Sequence, residues 1–320
     1  MASRYPGRIF HGVAIGQPWW RQVGSCAFAV VLALAGWCVQ AIAEIRVTDD
    51  GGQTLTLARP AQRIISMAPH VTELLFAAGA GERIVGTIRY SDYPPAALRI
   101  ARIGDSFALD SERVLSLKPD LIVVWLHGNS EGQLDQLRRL GIPVFSSEPR
   151  RLADIAVTLR TFGALAGTSA TADVAAARFD QRAGALRSRY AGRATVRVFY
   201  QISERPLLTI NGEHIIDDVI RACGGRNVFA ELRTLTPMVS PEAVLAANPE
   251  AIVTSGAEAG NATGFATWAR LPSLLATQRR NFVLLNSDTI SRQSERILDG
   301  AQALCEALEG VRARRVSSRR

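Results

Sequence analysis

Of the 37 basic residues in this 320-residue chain only Lys118 is a lysine, which records codon usage rather than function. Other scarcities exclude more. Aromatic residues make up 7% of the chain, and histidines and cysteines number four each. There is no glycine-rich loop ending in Lys-Ser/Thr to cradle a phosphate and no His-Glu-x-x-His helix to hold a catalytic zinc. His11, His70, His127 and His214 are too scattered to outline a metal site. No catalytic constellation emerges, and an enzyme is not expected.

Acids are missing altogether from the first 43 residues, which hold Arg4, Arg8 and Arg21. Five more arginines, Arg312, Arg314, Arg315, Arg319 and Arg320, crowd the last nine positions. Without those eight the chain has 29 basic residues against 29 acidic ones, so the formal net charge of +8 belongs to the termini. A nucleic-acid partner needs a basic patch on the folded body and is therefore not expected.

What the N-terminus does have is a leader pattern. Basic residues precede the apolar run Cys26–Val39, and the small-residue signature Ala41-Ile42-Ala43 precedes Glu44. The run is shorter than the roughly 20 residues of a membrane span. Residues 1–43 read as a signal peptide cleaved after Ala43, delivering the chain to the periplasm. Cys26 and Cys38 leave with it. Cys223 and Cys305 remain, as a disulfide or as two buried thiols, and an oxidising compartment favours the disulfide.

Beyond the leader, 48% hydrophobic residues suffice for large cores. Residues 44–61 read as a β-hairpin around Asp49-Asp50-Gly51-Gly52. Short apolar strands then alternate with helical stretches: strands at 64–67, 84–88, 121–125 and 144–146, helices at 71–78, 111–117 and 131–140. This alternation predicts an αβ lobe over 62–165 with a parallel sheet. Helical patterns at 152–162 and 169–190 follow with no strand between them. The second is long enough to be a rigid connecting helix within 166–192. Strands at 196–200, 251–254 and 282–285 with helices at 214–222 and 297–308 make a second lobe, 193–310. Residues 311–320 read as a basic disordered tail. The fold class expected is α/β: two Rossmann-like lobes, one long helix between them, and a ligand cleft between the lobes.

An internal repeat supports the division. Residues 112–123 read ERVLSLKPDLIV and residues 242–253 read EAVLAANPEAIV, with Glu, Val, Leu, Pro, Ile and Val at the same offsets. A generic helix–proline–strand unit explains the apolar positions. Glu112 and Glu242 in the first helical turn are either dipole-stabilising residues or a matched pair for one partner.

Candidate ligand contacts lie just past strands, where parallel sheets present them. His127 follows Trp125 in Trp-Leu-His-Gly-Asn. Tyr90 lies on a loop stiffened by Pro94-Pro95 and offers a stacking face and a hydroxyl. Asp288 and Arg292 follow the strand at 282–285, where a surface ion pair explains them equally well. His70 and His214, each just before a helix, read as solvated loop or cap residues.

Ordered motifs spread over residues 62–310 then carry a resemblance. They are Ser91-Asp-Tyr-Pro-Pro95, Leu117-Lys-Pro-Asp120, Trp125-Leu-His-Gly-Asn129, Gln133-Leu-Asp-Gln-Leu137, Cys223-Gly-Gly-Arg-Asn-Val-Phe229, Val239-Ser-Pro-Glu-Ala-Val-Leu245 and Ala301-Gln-Ala-Leu-Cys305. Together they resemble the periplasmic substrate-binding proteins of ABC importers for cobalamin and iron complexes. The resemblance implies a monomer that takes a corrinoid into the cleft as cargo, with no resident cofactor or metal. It implies handover to an inner-membrane ABC permease through Glu112 and Glu242, and a disulfide between Cys223 and Cys305. It implies cleft contacts from Tyr90, Trp125, Asp288 and Arg292. Ser106, Leu208 and Thr236 stand where such binders are usually aromatic, with Phe107 beside the first as a substitute. The N-terminal hairpin is more typical of haem and siderophore binders, so haem or a ferric siderophore is the alternative cargo.

Overall fold

The computed structural model describes residues 1, 2, 7, 11, 12, 44–105, 108–256 and 262–317. Nearly all of the expected leader, together with Phe107 and Ser106, lies outside the described residues.

The hairpin forms as expected from β1 (Ile45–Thr48) and β2 (Thr54–Leu57), paired antiparallel from Ile45↔Leu57 to Thr48↔Thr54. A five-stranded sheet follows, built from β3 (Ile64–Ser66), β4 (Ile84–Thr87), β5 (Ala101–Arg102), β6 (Leu121–Trp125) and β7 (Val144–Ser147). Its order is β5-β4-β3-β6-β7 and every pairing is parallel. Alternate residues of a strand face opposite sides. Ile64, Leu121 and Val123 accordingly join one apolar cluster, and Ile65, Ile122 and Val124 another. Burial on both faces explains why these strands are continuous apolar runs.

The second lobe repeats the plan with β8 (Val196–Gln201), the small pair β9 (Ser203–Glu204) and β10 (Leu207–Leu208), then β11 (Gly225–Asn227), β12 (Ala251–Gly256) and β13 (Phe282–Asn286). The main sheet is β11-β8-β12-β13, again all parallel. Phe199, Ile252 and Trp268 fill its outer face.

Between the sheets run two helices, Leu152–Ala166 and Ser169–Tyr190. The second spans about 33 Å at 1.5 Å per residue. Its buried residues Ala172, Ala176, Phe179, Ala183, Leu186 and Tyr190 recur every three or four positions, giving one apolar stripe. The stripe joins the inner faces of both sheets into one continuous core, from Leu57 to Val311. The first helix was expected to stop at Phe162, before Gly163, but it continues to Ala166 and ends on left-handed Gly167. Gly163 is kept inside the helix by packing: a Cβ there would lie 2.3 Å from the Ala172 Cβ.

Two repeat units, one per lobe, match in detail. The helices Ser111–Ser116 and Pro241–Ala247 are followed by Lys118 and Asn248, both left-handed at φ 46° and 40°. Asp120 N donates to the Arg63 carbonyl at 2.9 Å, and Glu250 N donates to the Arg197 carbonyl at 2.8 Å. The same two arginines cap the helix ends, Arg63 on the Leu117 carbonyl and Arg197 on the Ala247 carbonyl. A disulfide joins Cys223, after the helix Ile215–Ala222, to Cys305.

The expected disordered tail is corrected over most of its length. The final helix runs from Ile297 to Ser317. Arg312 donates to the carbonyls of Ala194, Cys223 and Gly224, Arg314 to Asn281 Oδ1, and Arg315 to the Thr195 carbonyl and to Glu250. These arginines tie the helix to the second sheet, so they are structural rather than solvated decoration.

Candidate functional site

Trp125 closes β6, and the loop after it is built around its ring. Asn129 Oδ1 accepts from Trp125 N at 2.9 Å. A Cβ on Gly128 would lie 1.8 Å from the indole, so only glycine lets the ring lie against this loop. Behind it, His70 meets the indole edge-on at 5.2 Å. His70 is a correction to the sequence reading: it is the second residue of the helix Pro69–Ala77 and is buried. Burial, helped by the nearby positive charge of Arg292, pushes its pKa down to about 3, so it is neutral at physiological pH.

Two residues on, His127 pairs with Glu148, which follows β7. One Glu148 oxygen accepts from His127 N at 3.0 Å and lies 3.1 Å from Nδ1. The Glu148 carboxylate is buried, whereas the imidazole is half exposed. The N-terminal hairpin sets its place. Asp50 N donates to the Ser146 carbonyl at 3.0 Å, Ser146 N to Asp49 Oδ2 at 3.1 Å, and Glu148 N to Asp50 Oδ2 at 2.5 Å. Burial and neighbouring carboxylates raise the Asp50 pKa, with the Glu148 amide acting against them.

Trp125, His127 and Glu148 form one wall of a cavity of about 650 Å³, within the range of small-molecule sites. The opposite wall comes from the second lobe, again from strand ends. Tyr200 near the end of β8 donates to Ser255 Oγ at 3.2 Å, and burial raises its pKa. Ile202, Ile216, Leu235 and Thr236 add apolar surface and small side chains. His214 is the N-cap of the helix Ile215–Ala222, its Nδ1 accepting from Ile216 N at 3.2 Å. Burial lowers its pKa to about 4, so it too is neutral. At the rim Arg150 crosses to Glu213 at 3.1 Å. Trp125 Nε1 and Gln293 Oε1 are buried polar atoms of the lining with no hydrogen-bond partner among the described residues. Such atoms are costly unless a ligand or water meets them.

The structure brings Trp125 and His127 together in this cavity, but not Tyr90, Asp288 or Arg292. Tyr90 is exposed on a left-handed backbone, φ 66°. Arg292, flanked by the lining residues Ser291 and Gln293, binds Glu73 at 2.8 Å, Asp92 at 2.7 Å and Asp288 at 2.9 Å. Ser294 Oγ donates to Glu73 at 2.5 Å, and Arg296 stacks on Tyr93 at 4.1 Å. This seam joins the lobes. Burial opposes the Arg292 charge, but the carboxylates of Asp92 and Glu73 outweigh it and hold its pKa above the ordinary value. Burial likewise opposes ionisation of Asp92, and Arg292 overrides it, holding that carboxyl below its usual range.

Sequence reasoning missed Glu148, Tyr200 and the seam. The strand-end rule that found Trp125 would have found Glu148, one residue past β7. A Gly-x-Ser-x-Gly motif was not expected, yet Gly128-Asn-Ser130-Glu-Gly132 has that nucleophile-elbow spacing. Ser130 is instead a helix N-cap accepting from Gln133 N, and no hydrogen bond joins it to His127. Among the described residues no group of three or more His, Cys, Asp or Glu could hold a metal ion, and no helix is long and apolar enough to cross a membrane. Glu112 and Glu242 are exposed in the first turns of their helices. Hydrogen bonds from its own backbone N–H and from Ser240 lower the Glu242 pKa.

Two parallel sheets that present strand ends to a shared cavity, tied by one long helix, define a two-lobed ligand-capturing protein. Residues 64–289 match the model of the family described as periplasmic binding protein, and the chain belongs to that family. It is 38% identical over 250 residues to the vitamin B12-binding protein of Vibrio cholerae, covering 78% of this chain and 90% of the relative. The vitamin B12-binding protein of Yersinia pestis is 39% identical over 258 residues, covering 80% and 90%. The crystal structure of the periplasmic vitamin B12-binding protein of Vibrio cholerae superposes with a TM-score of 0.72 at 37% identity, covering 79% of this chain and 98% of that one. A periplasmic heme-binding protein in complex with two hemes shares the fold, with a TM-score of 0.69 at 23% identity, covering 79% and 99%.

Proposed function

We propose that this protein captures cobalamin or a related corrinoid in the periplasm and delivers it to an inner-membrane ABC permease. The observation that carries the reading is the cavity wall of Trp125 and His127, facing strand ends of the second lobe, in a chain with vitamin B12-binding relatives. A flat macrocycle with a polar periphery suits such a slot. The indole gives it a stacking face. Tyr90, Asp288 and Arg292 lie outside the lining of this cavity and meet a ligand only where it projects beyond it. Glu112 and Glu242 serve the permease. A helix leading into a parallel strand runs opposite to it, so both first turns face the cavity end of their sheets. Removal of residues 1–43 after Ala43 precedes all of this.

Adding cobalamin quenches tryptophan fluorescence in this account. Absence of binding at micromolar concentration would overturn the corrinoid reading. Haem is the second reading, favoured by an imidazole in the cavity wall. A Soret shift on haem addition, together with no response to cobalamin, would select it.

A further inference from the structure

We infer that His127 is an axial ligand for the cobalt of a corrinoid whose lower coordination position is open. This rests on the corrinoid reading above and adds a coordinating residue to it. The argument starts from two imidazoles in one cavity held in opposite ways. His214 Nδ1 accepts a hydrogen bond from the Ile216 amide, so in the neutral ring the proton sits on Nε2 and no lone pair is left there. His127 is the reverse. A carboxylate accepts hydrogen bonds and does not donate them, so His127 Nδ1 donates to Glu148. The neutral ring then carries its lone pair on Nε2, which makes no hydrogen bond to any described residue.

A buried carboxylate that fixes the tautomer and raises the basicity of an imidazole is the arrangement that supports metal-bound histidines. Here the carboxylate is itself held in place, because the Glu148 amide and the strand before it are clamped by Asp49 and Asp50 of the hairpin turn. The hairpin therefore acts on the site from outside both lobes. Only one such imidazole lines the cavity, so it can supply a single axial bond to a metal that arrives already held by its own macrocycle. A cobalamin whose own base occupies the lower position has no use for this bond. A corrinoid lacking that base presents water there. The Nε2 lone pair forms the Co–N bond as the Co–O bond to that water breaks and the water leaves. The cobalt oxidation state is unchanged.

Aquocobinamide, which lacks the lower base, is the probe, with cyanocobalamin in parallel. Binding of aquocobinamide to the wild-type protein is expected to shift its visible absorption as nitrogen replaces water. His127→Leu is expected to abolish the shift and to weaken aquocobinamide binding at least tenfold more than it weakens cyanocobalamin binding. In His127→Ala, added imidazole is expected to restore the shift. An unchanged thermal midpoint shows that the variants fold. A wild-type complex with no spectral change, a shift that persists in His127→Leu, or equal loss of both ligands would overturn the inference. Failure of the wild-type protein to bind cyanocobalamin and aquocobinamide alike would instead remove the underlying reading. A nitrogen-ligated haem spectrum without any aquocobinamide response would overturn the assignment to cobalt.

Discussion

The two lobes share a scaffold and differ in what they hang on it. Each has a short helix, a left-handed residue, a proline, an acid and a buried strand, and each has an arginine capping the helix from the neighbouring strand. At the strand ends the likeness stops. The first lobe presents an indole and a carboxylate-held imidazole, and the second a buried phenol, hydroxyls and an imidazole spent on capping a helix. The frame is thus shared, while the chemistry resides in residues that break the symmetry. The lobes also differ in how they are secured. The first is braced by a hairpin, and the second by a disulfide and three helix arginines.

The sharpest test of the shared feature is Glu112→Ala combined with Glu242→Ala. Uptake by cells should fall to background while ligand affinity of the purified protein stays within twofold. A matching loss of affinity would place these glutamates in the fold or the pocket instead.

The asymmetry in bracing is tested by Cys223→Ser. Opening a closed loop of 82 residues is expected to cost about 4 kcal/mol on the chain-entropy estimate. Hydrogen exchange should show the loss around Ile215–Ala222 and the final helix before it reaches β3 and β6. At the seam, Arg292→Leu removes the 2.8 Å partner of buried Glu73 and leaves it Arg296 at 3.4 Å and Ser294, with an expected destabilisation of about 2–3 kcal/mol in denaturant unfolding.

Each lobe also carries one neutral histidine, buried His70 and half-buried His214, whose folded pKa is depressed by desolvation to about 3 and about 4. Below pH 6.5 the unfolded chain binds these protons and the folded one does not, so stability falls as pH falls. The slope is up to about 1.4 kcal/mol per pH unit for each histidine, down to its folded pKa. Thermal midpoints between pH 7 and pH 4 should show this decline, reduced in His70→Leu. A flat profile would contradict the neutral state of both rings. The smallest effect is expected at the helix pair that serves both lobes. Gly163→Ala crowds Ala172 and should cost about 1–3 kcal/mol without changing ligand contacts.

Much of this frame is legible in the residues. The apolar runs mark most of the strands, and Ser169–Tyr190 is bounded as its alanine-rich, proline-free stretch predicts. Boundaries slipped where packing overrides local preference, as at Gly163. His70 was misplaced because Pro69 starts its helix rather than preceding it, a role proline fills well since the first helical amides have no partner inside the helix. The site was half legible. A strand-end rule locates Trp125 and His127 because both follow one local run. Glu73 and Arg292 are partners across more than 200 positions, and no local pattern records that pairing. The same holds for Asp50 and Glu148, 98 residues apart.

The central claim, a corrinoid held against the first lobe's indole, is tested most directly by calorimetric titration of cyanocobalamin into the wild-type protein and Trp125→Ala. Lost stacking and buried area should weaken binding by about 1–3 kcal/mol, roughly tenfold to a hundredfold, from a single wild-type site. Equal affinities in the two proteins, or no heat from the wild type at micromolar concentration, would contradict the account.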